Sequence, residues 1–346
     1  MKRIGIIGAF GFETLDTGGQ PVKTRALYQG LRGQYGEGNV VALETFGWMR
    51  KPMKLFFSLL RIIRDCDCFI ILPAQNGVKF FAKIMLYAQR KKKNIYYDVV
   101  GGWLPELTRT NARLRICLQK FDGIWVETEQ MKRELTAQGF QNVAVVPNFK
   151  EIIPLSPSEL VFEELYPLPV CTFSRVIKEK GIQDAMDAVK EINKRHGKTL
   201  LTLDIYGEIG AEYKKEFGEQ IEKAPSYINY RGVVSPQNSV EIIKNYFLLL
   251  FPTLFATEGI PGTLIDAYCA GVPVISSLWQ NHLGVFDDGV VGYGYELGNT
   301  DAFKEKLEYA VFHVDEVNEM KKSCLKMAHS FSKADVIEQI SKIIGA

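Results

Sequence analysis

Short apolar runs rich in β-branched residues alternate with segments of helical spacing along nearly all of the 346 residues. Strand candidates in the first half are Arg3–Gly8, Val40–Thr45, Cys68–Pro73, Asn94–Val100, Gly123–Thr128 and Val143–Pro147. Between them lie helical patterns at Pro21–Leu31, Met53–Arg64, Val78–Arg90 and Pro105–Gln119. Continuous apolar strands joined through helices predict a parallel sheet covered on both faces, the doubly wound α/β class.

Pro154, Pro157, Pro167 and Pro169 interrupt the alternation, which marks a linker. It then resumes, with strands expected at Val170–Phe173, Leu200–Tyr206, Ile228–Arg231, Leu248–Phe251 and Val272–Ser276. Helices are expected at Gly181–Arg195, Glu212–Lys223, Pro236–Asn245 and Gly262–Ala270, and a last amphipathic one at Ser330–Ile344. The division that follows is an N-terminal Rossmann-like domain over 1–160 and a second Rossmann-like domain over 161–329. A C-terminal helix over 330–346 is expected to pack back toward the N-terminal domain. Two such domains in tandem would face a cleft at the carboxyl ends of their strands, where ligands bind in these folds.

The halves differ in charge. Residues 1–150 hold 23 Lys and Arg against 12 Asp and Glu, and the remainder holds 19 against 28. A basic half can attract phosphates, anionic lipid or nucleic acid, or can be an uneven solvated surface. The basic segments are rich in Leu and Ile and carry no recognised nucleic-acid module, so no nucleic-acid partner is expected. The opening Met1–Gly8 reads as a core strand and not as a signal peptide. No run of about 20 apolar residues is present to span a bilayer. The six cysteines form no Cys-x-x-Cys pair, which predicts reduced, mostly buried thiols in a cytoplasmic protein. His196, His282, His313 and His329 are dispersed without metal-ligand spacing. Asp65-Cys66-Asp67 precedes an apolar strand and reads as a helix end and turn.

The most informative stretch runs from Phe251 to Ile275. A buried strand ends in a Gly/Pro loop, a helix starts, and another strand follows. Gly259 and Gly262 allow backbone to approach a ligand closely, and the amides opening the helix favour an anion. Glu258 precedes the turn and Asp266 lies about one helical turn beyond it. Carboxylates there can accept hydrogen bonds from sugar or ribose hydroxyls. The same residues also fit a plain strand–turn–helix with an acidic start.

Glu258-Gly259-Ile260-Pro261, then Asp266, Ala270 and Gly271-Val272-Pro273-Val274, resembles the signature of the retaining, family-four glycosyltransferases of GT-B architecture. Many members carry Glu at the second acidic position, where this chain has the shorter Asp266. By that resemblance Glu258 orients the donor sugar, Asp266 binds ribose hydroxyls, and Gly259, Ile260, Pro261, Gly262 and Thr263 line the donor. Ser174-Arg175 with Lys180-Gly181 is similar to the family's Ser-Arg…Lys-Gly element, which implies that Arg175 and Lys180 hold the donor diphosphate. An Arg and a Lys five residues apart after a strand can clamp a diphosphate, and the same two also fit a solvated basic loop.

Asp16-Thr17-Gly18-Gly19-Gln20 resembles the family's Gly-Gly loop over donor phosphates and acceptor. Gly18 and Gly19 would be on the donor side and Gln20 on the acceptor side. Tyr97–Glu106 resembles a loop of capsule and O-antigen glycosyltransferases, which places Gly102, Trp103 and Glu106 on the acceptor side; Trp103 can as well be plain core. Many relatives have a His near this loop, and here there is none. Pro147-Asn148 matches the family's Pro-Asn before the linker.

Arg50–Arg64, Lys79–Leu86 and Arg90–Lys93 combine basic groups with a broad apolar face. They fit a peripheral location at an anionic membrane surface, or core helices with snorkelling basic ends. The resemblance implies a retaining, metal-independent hexosyltransferase that needs no cofactor. It would move a sugar from a nucleotide sugar, expected to be a UDP-sugar, to a glycan or polyprenyl-diphosphate-linked acceptor in cell-surface polysaccharide synthesis. Two alternatives stand beside it: a nucleotide-sugar epimerase on the same frame, and an inactive partner subunit.

Overall fold

The computed structural model describes residues 2–12, 18–47, 52–162 and 165–345. These form two compact units. The first comprises Met1–Glu151, Glu258–Pro261 and Phe331–Ala346; the second comprises Ile152–Thr257 and Gly262–Ser330.

In the first unit, β1 (Ile4–Gly8), β2 (Val40–Glu44), β3 (Cys68–Leu72), β4 (Asn94–Asp98), β5 (Gly123–Val126) and β6 (Val143–Val145) form one sheet in the order β2-β1-β3-β4-β5-β6. Every pairing is parallel. Helices α1 (Gly19–Tyr35), α2 (Pro52–Asp65), α3 (Gln75–Arg90), α4 (Leu104–Thr110), α5 (Ala112–Leu118) and α6 (Glu129–Ala137) connect the strands. All five residues of β1 and of β3 are buried, as expected of parallel strands covered on both faces. Leu55, Leu59, Ile62 and Ile63 of α2 and Val78, Phe81, Ala82 and Met85 of α3 pack on one face of the sheet. On the other face Leu27 and Leu31 of α1 meet Val336, Ile337 and Ile340 of a C-terminal helix, Lys333–Ile343. The helices pack closely at Gly30, where a Cβ would lie 2.5 Å from Ile337 Cδ1 and would push that side chain aside.

The second unit has β7 (Leu168–Phe173), β8 (Leu201–Tyr206), β9 (Ile228–Gly232), β10 (Leu248–Phe251), β11 (Val274–Leu278) and β12 (Gly292–Glu296), all parallel, in the order β12-β11-β10-β7-β8-β9. Its helices are α7 (Ile182–Arg195), α8 (Lys214–Glu222), α9 (Ser239–Ile243), α10 (Gly262–Cys269), α11 (Thr300–Phe312) and α12 (Val314–Ala328). Both units are thus doubly wound α/β. Strand order reverses between β1 and β3 in the first sheet and between β7 and β10 in the second. Such reversals open a crevice at the carboxyl ends of the strands, where ligands of these folds bind.

Two expectations change at the level of elements. The helix expected over Pro105–Gln119 is two, because Asn111 ends α4 and its side chain caps α5 by accepting from the Leu114 amide at 3.0 Å. The helix expected over Pro236–Asn245 is a 3-10 turn, Pro236–Asn238, followed by the short α9. Asp65 and Asp67 do flank a turn. Asp65 ends α2 beside Arg64, and Asp67 accepts from the Arg3 amide at 3.1 Å before β3 begins. None of the six cysteines is in a disulfide and all are buried, and burial pushes the Cys66 thiol up to about 11 and the Cys68 thiol up to about 12.

Candidate functional site

Within the second unit the groups of interest collect at the carboxyl ends of β7 and β10. After Phe173 the chain passes Arg175, makes a 3-10 turn over Lys178–Lys180, and enters α7 through Gly181. Gly181 has φ +66°, and a Cβ there would fall 2.0 Å from the Pro252 carbonyl oxygen, so only glycine lets this turn pass the loop after β10. The Leu254 amide donates to the Glu179 carbonyl at 2.8 Å, which fastens the two loops together. Thr263, in the first turn of α10, donates from Oγ1 to the Phe173 carbonyl at 2.6 Å. The start of α10 is thereby held against the strand that leads to Arg175.

Lys180 Nζ stands 5.1 Å from the ring centroids of both Phe251 and Phe255, a cation–π setting that orients the ammonium. Arg175 is exposed, and among the described residues no carboxylate pairs with it. Gly262 and Thr263 are partly exposed at the helix start. A guanidinium, an ammonium and helix-opening amides at one strand-order reversal suit a diphosphate. Asp266 lies deeper: it is 2% exposed and accepts from Ser239 Oγ at 3.0 Å.

The remaining predicted residues belong to the first unit. Glu258 is partly exposed, whereas Gly259, Ile260 and Pro261 are buried. The Ile260 amide donates to Glu127 Oε2 at 2.8 Å, and the Ile260 carbonyl accepts from Asn148 Nδ2 at 2.9 Å. This gives Asn148 of the Pro-Asn pair a physical role. A Cβ on Gly259 would sit 1.8 Å from Glu127 Oε2 and 3.0 Å from Gly101 Cα, so the turn accepts no side chain at that position.

Gly18 caps α1 and Gly19 opens it, and among the described residues no atom comes within 4 Å of a Cβ built on Gly19. Asp16 and Thr17 lie outside the described residues. Gln20 Nε2 donates to the Leu72 carbonyl at the end of β3. Gly102 is buried, Trp103 donates from its indole to the Val100 carbonyl at 2.8 Å while packing partly on the core, and Glu106 is exposed and paired with Arg109. His282 is a loop residue bonded through Nδ1 to the Trp279 carbonyl.

Sequence reasoning missed Lys23 and Glu127 and gave Asp98 no role. Lys23 Nζ is 2.7 Å from Asp98 Oδ1 and 3.3 Å from Glu127 Oε1, with all three side chains at most 1% exposed. Burial raises the Asp98 and Glu127 carboxyls above their ordinary range, against the pull of the Lys23 ammonium. For Lys23 burial acts downward, but the two carboxylates outweigh it and its pKa is raised.

Residues 168–311 match the family described as glycosyl transferases group 1. The matched stretch runs from β7 into α11 and contains Arg175, Lys180, Glu258, Thr263 and Asp266. An amylovoran biosynthesis glycosyltransferase, AmsK of Erwinia amylovora, is 29% identical over 128 residues. The match covers 34% of this chain and 29% of that relative, so the chain spans under a third of the curated relative it matches. HepE of Anabaena, solved with UDP and glucose, superposes with a TM-score of 0.75 at 15% identity over 99% of both chains. Sucrose-phosphate synthase of Thermosynechococcus elongatus superposes with a TM-score of 0.77 at 12% identity, covering 99% of this chain and 98% of that one. Two six-stranded parallel sheets with these neighbours make the fold GT-B.

Of the expected amphipathic segments, residues 52–64 lie in α2 and Lys79–Leu86 in α3, whereas Arg90 ends α3 and Lys91–Lys93 follow it in the turn before β4. On α2 the side opposite the core leaves Met53, Phe56, Phe57 and Leu60 exposed, with Phe57 at 63%, among exposed Lys54, Arg61 and Arg64. On α3 Phe80 and Tyr87 are exposed beside Lys79, Lys83 and Arg90. Arg50 and Lys51 lie outside the described residues. Among the described residues no helix is long and apolar enough to cross a membrane.

Proposed function

We propose that the chain transfers a hexosyl group from a UDP-sugar, with retention and without a metal, to a glycan or polyprenyl-diphosphate-linked acceptor in polysaccharide synthesis. The observation that carries this is the Thr263–Phe173 hydrogen bond, which sets the start of α10 beside the segment bearing Arg175 and Lys180. Both the match to the group 1 glycosyl transferase family and a structural neighbour solved with UDP support it.

In the transfer the bond from the anomeric carbon to the diphosphate oxygen breaks and the acceptor oxygen bonds to that carbon. The acceptor's proton passes to the departing diphosphate. Arg175, Lys180 and the amides of Gly262 and Thr263 stabilise the negative charge that develops there, and preorganised stabilisation of this kind commonly supplies most of the rate enhancement. Glu258 orients the sugar. Asp266, which accepts from Ser239 through Oδ1, takes the ribose side.

Incubation of the chain with UDP-glucose, UDP-galactose and UDP-N-acetylglucosamine in EDTA, with polyprenyl-diphosphate-linked sugars as acceptors, tests this. Transfer of sugar with the anomeric configuration kept is expected. Donor conversion without acceptor would replace the proposal by epimerisation, and UDP binding without turnover on any pair would replace it by a partner subunit.

The exposed apolar and basic faces of α2 and α3 support a peripheral position at an anionic membrane surface. Each basic group near such a surface contributes about 1 kcal/mol, reduced by salt. Cosedimentation with anionic vesicles at low ionic strength, lost when Phe56 and Phe57 are changed to Ser, is the expected result. No binding at low salt would rule it out.

A further inference from the structure

The Lys23–Asp98–Glu127 cluster is costly for stability. Two carboxylates share one ammonium in a site closed to water, and Asp98 Oδ2 is buried without a hydrogen-bond partner among the described residues. Buried ion pairs of this kind are often no more stabilising than apolar side chains of the same volume. Stability alone therefore does not account for Glu127, and its remaining contact points elsewhere. Its second oxygen, Oε2, accepts the Ile260 amide at 2.8 Å and closes the space over Gly259.

We propose that Glu127 is a positioning residue: held from one side by Lys23 and Asp98, it fixes the Glu258–Pro261 turn and thereby the backbone that carries Glu258, the residue assigned to the donor sugar in the proposed reaction. The assignment of Glu258 rests on the transfer reaction proposed above; the fixing of the turn does not. Lys23 comes from α1, Asp98 ends β4 and Glu127 follows β5, so three elements of a rigid sheet-and-helix layer set one oxygen. Asn148 holds the Ile260 carbonyl, so the peptide unit on each side of Ile260 is held by a side chain. No slack is left at Gly259, because even one methyl group would collide with Glu127. Small displacements of a group that orients a reactant cost rate far more than they cost binding.

Glu127→Met keeps volume but removes charge and acceptor. Glu127→Gln removes the charge but keeps an oxygen that can accept from Ile260. Both leave Lys23 paired with Asp98, so both are expected to fold. For Glu127→Met, kcat is expected to fall roughly 10- to 100-fold, the equivalent of one charge-assisted hydrogen bond. Donor KM should change by no more than about twofold, since the loss lies in the transition state. Its melting temperature should change little, relief of one buried charge offsetting the Ile260 amide's lost acceptor. Glu127→Gln should recover most of kcat. A second readout is independent of turnover: amide hydrogen exchange in the peptide containing Ile260 should quicken in Glu127→Met and return toward wild type in Glu127→Gln. Wild-type kcat together with unaltered exchange in Glu127→Met would overturn the proposal, as would a fall in kcat that merely tracks a lower melting temperature. If the wild type transfers no sugar, the reaction itself is wrong, and the exchange measurement alone then decides whether Glu127 fixes the turn.

Discussion

Thr263 Oγ1 donates to the Phe173 carbonyl across 90 residues of sequence, at 2.6 Å, joining the first turn of α10 to the last residue of β7. Phe173 is two residues before Arg175, so this bond sets the spacing between helix-opening amides and the guanidinium. Thr263→Val keeps the shape and loses the donor. A hydrogen bond of this type contributes about 1 kcal/mol, which for a domain of this size is roughly 2–4 °C in melting temperature. Differential scanning fluorimetry should show that drop together with weaker UDP binding, and Thr263→Ser should restore both. Unchanged UDP affinity in Thr263→Val would detach the helix start from the ligand.

Gly181 offers a backbone test. Its positive φ and the 2.0 Å approach of a built Cβ to the Pro252 carbonyl leave no room for a methyl group. Gly181→Ala should destabilise by about 1–3 kcal/mol in urea unfolding, the range for a strained backbone position. It should also weaken UDP binding, because the displaced turn carries Lys180. An alanine variant as stable as wild type would mean that the two loops do not approach so closely.

Lys23 gives a dependence on pH whose sign follows from the cluster. Asp98 and Glu127 have raised carboxyl pKa values in the folded chain, for which burial is the leading cause. A raised value means that the folded state binds the proton more tightly than the unfolded one. The carboxyls' contribution to stability is therefore complete below their unfolded values, about 3.9 for Asp and 4.3 for Glu, and is lost as pH rises through the folded ones. Lys23→Met leaves both carboxylates without their cation, at a cost of about 3–5 kcal/mol at pH 8. Urea titrations from pH 8 down to pH 5 should show that deficit shrinking as the carboxyls take up protons. A deficit that does not vary with pH would place the loss in packing and not in charge.

How far the sequence reveals the molecule depends on the range of the forces involved. Strands β1, β3 and β10 stand out as apolar runs because both of their faces are buried. β12 does not: Gly292-Tyr293-Gly294-Tyr295 alternates glycine with tyrosine, and its backbone lies so close to Val274 that a Cβ on Gly292 would be 1.8 Å from the Val274 carbonyl oxygen. The break between α4 and α5 had a local signal in Asn111, a residue suited to capping. The loop after β7 and the start of α10 were legible as Gly, Arg and Lys at fixed spacing. Glu127 was not, because its meaning comes from Lys23, 104 residues earlier, and from Ile260, 133 residues later. Lys23 itself breaks the expectation that lysine is exposed, and only the packed sheet shows what holds it.

Arg175 decides whether the segment after β7 is a diphosphate site. It is exposed and pairs with no carboxylate among the described residues, so its removal should leave the fold intact. UDP titration by calorimetry, with turnover in parallel on the same Arg175→Ala preparation, is the most direct measurement. Turnover should fall about 10²–10³-fold, the usual loss for one electrostatic donor, with UDP binding weakened and the melting temperature unchanged. Wild-type UDP affinity and turnover in Arg175→Ala would contradict a diphosphate held there.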